Sequence, residues 1–112
     1  MLDLPRQRWI GIREIEGRDE LVSLALNATD QTPLLLHQPT DFAGYGCLSP
    51  DGHRFAWVEW QQPAMPWDSS HLWCAEFSDT GGLVEPRQLA GGDGISVFQP
   101  QWLPDGLSLI HI

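Results

Sequence analysis

The side chains that could carry out chemistry stand far apart in this sequence. Ser96 lies in Gly-Ile-Ser-Val-Phe, where Phe98 occupies the place at which a hydrolase nucleophile turn needs a second glycine. The histidines are His37, His53, His71 and His111. None lies two or four positions from another, the spacings that set two ligands on one face of a strand or helix. We therefore expect no catalytic residue and no metal site, with Ser96 opening a strand and the histidines hydrogen-bonded or solvated.

The segment Gly91–Gly94, Gly-Gly-Asp-Gly, resembles a phosphate-binding loop in its glycine content. It lacks the lysine of a P-loop, and no helical pattern follows it, so we interpret it as a connection between repeated units. Asp41, Asp68 and Asp93 could act as acid and base only if the fold brought two of them together. Isolated loop carboxylates are more often solvated or cap turns. The sequence predicts no cofactor.

Composition and charge restrict the class of protein. The 112 residues include 6 Lys+Arg and 15 Asp+Glu, a net charge of -9, which disfavours binding to a phosphate backbone. No apolar run approaches the roughly 18 residues that span a bilayer, and the start lacks the apolar core of a signal peptide, so we expect a cytoplasmic protein without a membrane segment. Cys47 and Cys74 are expected to be reduced structural residues, because no CxxC or nearby histidine pair accompanies them.

The hydrophobic pattern predicts short strands throughout. Segments 8–15, 20–27 and 32–38 form a first group, and segments 42–48, 53–60, 71–77 and 86–90 form a second. Between strands, Pro50-Asp51-Gly52 predicts a tight turn, and Pro104-Asp105-Gly106 repeats it 54 positions later. This repeat indicates an all-β fold of antiparallel four-stranded β-propeller blades, about one complete blade plus parts of two neighbours. The predicted units are 1–39, the end of one blade, 40–90, a complete blade, and 91–112, the start of the next.

The aromatic run Pro-Ala-Met-Pro-Trp-Asp, residues 63–68, is predicted to be a loop, because two prolines exclude a regular strand. Successive loops of an up-and-down blade alternate between its two ends. We therefore place five residues toward one end of the sheets: Phe42, Met65, Trp67, Asp68 and Asp93. Either these residues form a functional face, or Met65 and Trp67 fold back to cap their own blade.

Two longer stretches carry a family resemblance: LSPDGHRFAWVEWQQPAMPWDSSHLWCAEF, from Leu48, and AGGDGISVFQPQWLPDG, from Ala90. They resemble the propeller domain of the prolyl oligopeptidase family of serine peptidases, in its acylaminoacyl-peptidase and dipeptidyl-aminopeptidase-like branch. The resemblance implies a propeller that caps an α/β-hydrolase domain and gates and positions peptide substrate. It also implies that the face around Met65 and Trp67 meets substrate or another domain.

The 112 residues contain no Gly-x-Ser-x-Gly motif and no hydrolase domain, so we expect a non-catalytic propeller fragment. Its expected partners are the hydrolase domain, further blades and peptide substrate, with self-association of the isolated chain. A truncated gene product is a further possibility. The alternative function is a TolB-like or WD40-like repeat scaffold for protein interaction, which the genomic reading frame beyond residue 112 would distinguish.

Overall fold

The computed structural model describes the chain except residues 27–31, 64, 66–68, 93, 95–96, 98–99, 103–108 and 111–112. Within the described residues every regular element is a β-strand, which confirms the all-β prediction. No helix in this part of the chain is long and apolar enough to cross a membrane.

In the described part of the chain, ten strands form three antiparallel sheets. The first sheet has the order β1 (Leu2–Asp3), β2 (Arg8–Ile15), β3 (Arg18–Ala25), β4 (Leu34–His37). The second sheet has the order β5 (Phe42–Leu48), β6 (Arg54–Trp60), β7 (Ser70–Phe77), β8 (Leu83–Gly92). The third sheet pairs β9 (Gln101–Trp102) with β10 (Leu109–Ile110). This arrangement of four-stranded meanders is that of β-propeller blades, as predicted.

Two strands differ from the sequence prediction. The two-residue strand β1 was not expected, because two residues are too few to show a period, and it completes a four-stranded first sheet. Strand β8 runs from Leu83 to Gly92 instead of over 86–90, although it contains Pro86. Gly91 and Gly92 therefore belong to this strand, paired with His71 and Ser70, and the interpretation of these two glycines as part of a connection is wrong. As an edge strand with a shifted register opposite Cys74 to Glu76, β8 can accommodate a residue that has no N–H to donate. The division into 1–39, 40–90 and 91–112 stays a prediction.

The turn between β5 and β6 is held by its own polar side chains. Gly52 has a φ of 76°, in the left-handed region that glycine adopts without strain. Asp51 Oδ1 accepts hydrogen bonds from the Ser49 hydroxyl at 2.7 Å and from the His53 N–H at 2.9 Å. The hydrogen bond from His53 has the larger effect and the one from Ser49 the next. Together they hold the pKa of the Asp51 carboxyl below its ordinary value of 3.8. The second predicted turn, Pro104-Asp105-Gly106, lies outside the described residues.

Strand β6 of the second sheet is buried on both faces. Its residues Phe55 and Trp57 alternate with Ala56 and Val58 along β6, and all four are almost completely inaccessible. One face packs on the first sheet in a core that contains Ile10, Leu21, Leu36, Ala43, Phe55, Trp57 and Ala75. The opposite face packs on the chain that follows β8, in a core of Ala56, Val58, Leu72 and Val97. The sequence prediction that β6 is a strand enclosed on two sides is thus confirmed.

The three sheets lie closest together at β5. This strand contacts β2 and β3 of the first sheet and β9 of the third. The Trp102 indole N–H donates to the Cys47 carbonyl oxygen at 2.9 Å and fastens β9 to β5. Because the blades of a propeller surround a central channel, the strand at which the sheets converge is the one nearest that channel.

Candidate functional site

The two ends of the second sheet are distinguished by their loops. Phe42 pairs with Trp60 and Ser70 with Gly92, so the loop of residues 61–69 emerges at the end where β5 begins and β8 finishes. We call this the Met65 end. The Asp51 turn and the turn at Ser78–Gly82 emerge at the opposite end, which we call the Gly52 end.

Two residues of the predicted face are described at the Met65 end. Met65 is 43% exposed, and Phe42 is half-buried with its ring 6.0 Å from that of Trp60. Trp67, Asp68 and Asp93 lie outside the described residues. A role of these five residues in binding substrate or another domain therefore stays a prediction.

Backbone contacts of two carboxylates organise the Met65 end. Asp41 Oδ2 accepts a hydrogen bond from the Gln62 N–H at 3.0 Å, which anchors the start of the 61–69 loop. Asp19 Oδ2 accepts from the Ala43 N–H at 3.0 Å, and the Asp19 N–H donates to the Asp41 carbonyl at 2.8 Å. These bonds join the β2–β3 hairpin to the first strand of the second sheet. Asp41 is thus a capping residue, as isolated loop carboxylates usually are.

A buried polar cluster links the first and second sheets near the same end. The Oε2 atom of Glu59 lies 2.7 Å from His37 Nε2 and accepts a second hydrogen bond, also 2.7 Å long, from the indole N–H of Trp57. Glu59 is 7% exposed and Trp57 is inaccessible. The His37 ring packs 5.1 Å from the ring of Trp57 and 5.8 Å from that of Trp73. His37 is therefore a hydrogen-bonded strand histidine, as expected. Its hydrogen bond with Glu59 joins strand β4 to strand β6.

His71 lies beside this cluster. It is the direct cross-strand partner of Glu59, and its buried Nδ1 atom has no hydrogen-bond partner among the described residues. A histidine and a carboxylate are the components of general acid–base catalysis, but a hydrolase also needs a nucleophile within hydrogen-bond reach of the base. In the part of the chain that the structure describes, no group of three His, Cys, Asp or Glu side chains could hold a metal ion.

The nucleophilic side chains near the Met65 end have structural partners. Ser69 Oγ accepts from the Gly94 N–H at 2.7 Å. Ser70 is inaccessible, and its hydroxyl both donates to the Val97 carbonyl and accepts from the Val97 N–H at 2.8 Å. These bonds hold the chain after β8 against the second sheet. Ser96 lies outside the described residues.

The thiols are also structural. Cys47 and Cys74 are both free. Burial raises the pKa of the Cys74 thiol, so the group stays protonated at neutral pH and is a poor nucleophile.

A second cluster joins the sheets at the Gly52 end. Arg8 Nε donates to Asp3 Oδ2 at 3.0 Å, and the Asp3 side chain is inaccessible. Arg6 donates to the Gly52 carbonyl at 2.7 Å and also pairs with Asp3 at 3.3 Å. Its guanidinium lies 4.2 Å from the centre of the Phe77 ring, a cation–π contact. The sequence carries no sign of this cluster, because residues 3–8 read only as a polar segment before the first strand.

Strand β5 also carries a bulge. Its pairing with β6 is interrupted between Gly44 and Cys47, and Tyr45 has a φ of 55°, which is uncommon for a side chain other than glycine. The Tyr45 ring is 6.1 Å from that of Trp60. A pair of glycines around a single aromatic residue, Gly-Tyr-Gly, is the signal that could have revealed this bulge.

The fold and these contacts define the class of protein. The chain forms adjacent antiparallel blades of a β-propeller, joined at both ends by buried polar clusters. No protein-family model and no curated protein matches the sequence.

Solved structures, in contrast, do match this chain. Puromycin hydrolase superposes with a TM-score of 0.88 and 28% sequence identity, over 99% of this chain and 18% of the hydrolase. A mutant of that enzyme complexed with PGG gives the same values. A puromycin-hydrolyzing peptidase of Mycobacterium tuberculosis matches with a TM-score of 0.75 and 26% identity, over 91% of this chain and 18% of the peptidase. The resemblance to the propeller of prolyl-oligopeptidase-family peptidases is thus confirmed, and the chain spans about a fifth of the length of these enzymes.

Proposed function

We propose that this chain is a non-catalytic part of a peptidase propeller that gates and positions peptide substrate beside an α/β-hydrolase domain. The observation that carries the proposal is the superposition of 99% of the chain on a peptidase of which it spans only 18%. Propeller blades contribute little chemistry of their own, since in such an enzyme the nucleophile, base and oxyanion hole come from a hydrolase fold. The acylaminoacyl-peptidase or dipeptidyl-aminopeptidase type of substrate is part of the same proposal.

The geometry supports a positioning role at the Met65 end. There Met65 and Phe42 are accessible in part, while the carboxylates of Asp19 and Asp41 fix the surrounding backbone. A surface that positions substrate benefits from a rigid frame, because a displacement of about 1 Å can lower a rate by about a hundredfold. The negative net charge would in addition attract the amino termini of peptides.

A chimera tests this function. The segment of puromycin hydrolase that superposes on this chain would be replaced by residues 1–112, and hydrolysis of puromycin and of aminoacyl reporter substrates would be measured. We expect the chimera to change kcat/KM, because the blades position the substrate relative to reacting groups that stay in place. A folded chimera whose kcat and KM both equal those of the parent would contradict a positioning role.

The isolated chain provides the matched control. Under the same conditions it should hydrolyse neither substrate. Turnover that copurifies with the chain and disappears on unfolding would contradict the assignment as non-catalytic.

A further inference from the structure

An apolar row of side chains crosses the outer face of the first sheet, the face turned away from the second sheet. Leu2 of β1 pairs with Trp9 of β2, and Trp9 pairs with Leu24 of β3. Val22 lies two residues before Leu24, on the same face of β3, and pairs with Leu35 of β4. Since cross-strand partners are direct neighbours on one face of a sheet, the row is continuous over all four strands.

This row is accessible. Trp9 is 50% exposed, Leu35 47% and Leu2 37%. Neither hydrophobic core of the described residues contains any of these three side chains. The opposite face of the same sheet is different, because Ile10 and Leu21 on it are buried against the second sheet. The outer row is therefore a contiguous exposed apolar surface, a feature that in soluble proteins marks an interaction site.

The charged groups beside the row leave little net charge. Arg13 and Glu20 are cross-strand partners on the outer face, and Arg13 Nη2 lies 2.6 Å from Glu20 Oε1. Residues 1–37 carry four arginines and six acidic residues, a net charge of -2, whereas residues 38–112 carry two arginines and nine acidic residues, a net charge of -7. Two acidic copies of the chain therefore repel each other least where their first sheets meet.

We propose that two copies of this chain associate through the outer faces of their first sheets, related by a twofold axis. A twofold contact needs only one surface that matches itself, and it is the commonest symmetry of soluble oligomers. The two apolar rows would face each other across about 10 Å, the spacing of packed sheets in a β-sandwich. In the second sheet the corresponding central strand, β6, is already buried on both faces. This proposal does not rest on the proposed function of the chain.

The size of the outer face sets the expected strength of the dimer. Strands β1, β2, β3 and β4 contain 2, 8, 8 and 4 residues. At about 3.3 Å per residue and about 4.8 Å between strands, they present a face of roughly 350 Å² in projection. Two such faces, with the side chains that stand above them, would bury roughly 700–1,000 Å², at the lower limit of specific interfaces. We therefore expect a reversible dimer with a micromolar dissociation constant.

Sedimentation equilibrium of the complete chain tests this proposal. The average mass should rise with concentration and level off at the mass of two chains, because a twofold contact closes on itself. Raising the salt concentration from about 0.05 M to about 0.5 M should strengthen association, since salt screens the repulsion between two negative copies. A mass above that of two chains, association that salt weakens, or a chain that stays monomeric up to about 1 mM would overturn the proposal.

Two glutamate substitutions locate the contact. Gly11 is the cross-strand partner of Val22 in the middle of the row, and a Cβ atom there would meet no described atom within 4 Å, so Gly11→Glu adds a charge without crowding the monomer. The matched control is Gly82→Glu, which adds the same charge in the turn at the Gly52 end. A Cβ atom at Gly82 would make only an ordinary contact of 3.7 Å with the Ser78 hydroxyl.

The two variants should differ in association and not in folding. Gly11→Glu should raise the dissociation constant at least about tenfold, because like charges would oppose each other across the interface, and Gly82→Glu should raise it less than about twofold. Both variants should keep a cooperative urea transition, which separates a lost dimer from a lost fold. Equal effects of the two substitutions on association would place the contact elsewhere and overturn the assignment.

Isotope-filtered nuclear Overhauser effects identify the partner surface directly. In a mixture of labelled and unlabelled chains, we expect cross-peaks between the Trp9 ring of one copy and the methyl groups of Leu24 or Leu35 of the other. Cross-peaks from Trp9 to Val84 or Leu89, which are exposed on the second sheet, would instead show a head-to-tail contact and overturn the twofold assignment.

Discussion

Replacement of Glu59 by alanine should lower the free energy of unfolding by about 3–5 kcal/mol, because it removes a buried carboxylate that accepts two hydrogen bonds, each worth about 1.5–3 kcal/mol. The Glu59 Oε2 atom accepts hydrogen bonds from Trp57 and His37, both 2.7 Å long. Without it the indole N–H of Trp57, which is inaccessible to water, keeps no acceptor, a cost of about 1–3 kcal/mol by itself. The remainder comes from the loss of the His37 contact and from the space left between the sheets.

Two further variants separate the hydrogen bonds from general effects of substitution. Both bonds end on the same oxygen, so the single amide oxygen of Glu59→Gln can still accept them, and this change should cost only about 1 kcal/mol. Glu76→Ala is the surface control. The Glu76 side chain is 65% exposed and 3.5 Å from Arg54, an ion pair that solvent screens, so its removal should cost less than about 1 kcal/mol.

Urea unfolding followed by tryptophan fluorescence measures all three variants. Each should be measured at two protein concentrations, because self-association would make the midpoint depend on concentration. The expected order of destabilisation is Glu59→Ala, then Glu59→Gln, then Glu76→Ala. A Glu59→Ala variant no less stable than Glu76→Ala would refute the view that the Glu59 cluster joins the blades.

Three other predictions concern the backbone, acid stability and the exposed first sheet. Gly91→Ala should unfold at a much lower urea concentration than Gly94→Ala. A Cβ atom at Gly91 would collide with the Ser70 carbonyl, whereas a Cβ atom at Gly94 would meet no described atom within 4 Å. Equal urea midpoints of the two variants would contradict this prediction. Hydrogen bonds keep the pKa of Asp51 below 3.8 in the folded chain. The stability that the Asp51 carboxylate contributes is therefore fully present above pH 3.8 and is lost as the pH falls through the pKa of Asp51 in the folded chain. Asp51→Asn should accordingly reduce the loss of stability between about pH 6 and about pH 3, and an unchanged loss would exclude this contribution. Trp9 is 50% exposed on the outer face of the first sheet, where it can contribute to self-association. Trp9→Ser should therefore lower the average mass measured by sedimentation at micromolar concentration. A wild-type chain that is already a monomer would contradict the expected self-association.

The sequence was most informative about the second sheet. Its strands β5, β6 and β7 alternate clearly or carry apolar residues on both faces, and Pro50-Asp51-Gly52 marks the turn between two of them. The start of β8 was missed because Pro86 usually excludes a strand interior, whereas an edge strand with a shifted register tolerates it.

The contacts between sheets could not be predicted in the same way. His37 and Glu59 are 22 positions apart, and their contact depends on how two sheets stack, which no local period encodes. Asp3 and Arg8 become a buried pair because the two-residue strand β1 sets them opposite each other in the first sheet, beside Phe77 of the second sheet. The predicted role of Trp67 rests on the family resemblance and on the end of the sheet at which its loop emerges.

The stacking of the first and second sheets as adjacent blades is the central structural feature of this propeller fold. Nuclear Overhauser effects between ring protons in the labelled chain measure this stacking, and the Trp57–Trp73 contact within the second sheet, with ring centres 6.4 Å apart, is the internal control. If the two sheets stack in this way, we expect cross-peaks between His37 and Trp57, whose ring centres lie 5.1 Å apart. Their absence in a chain that retains the Trp57–Trp73 cross-peaks would contradict it.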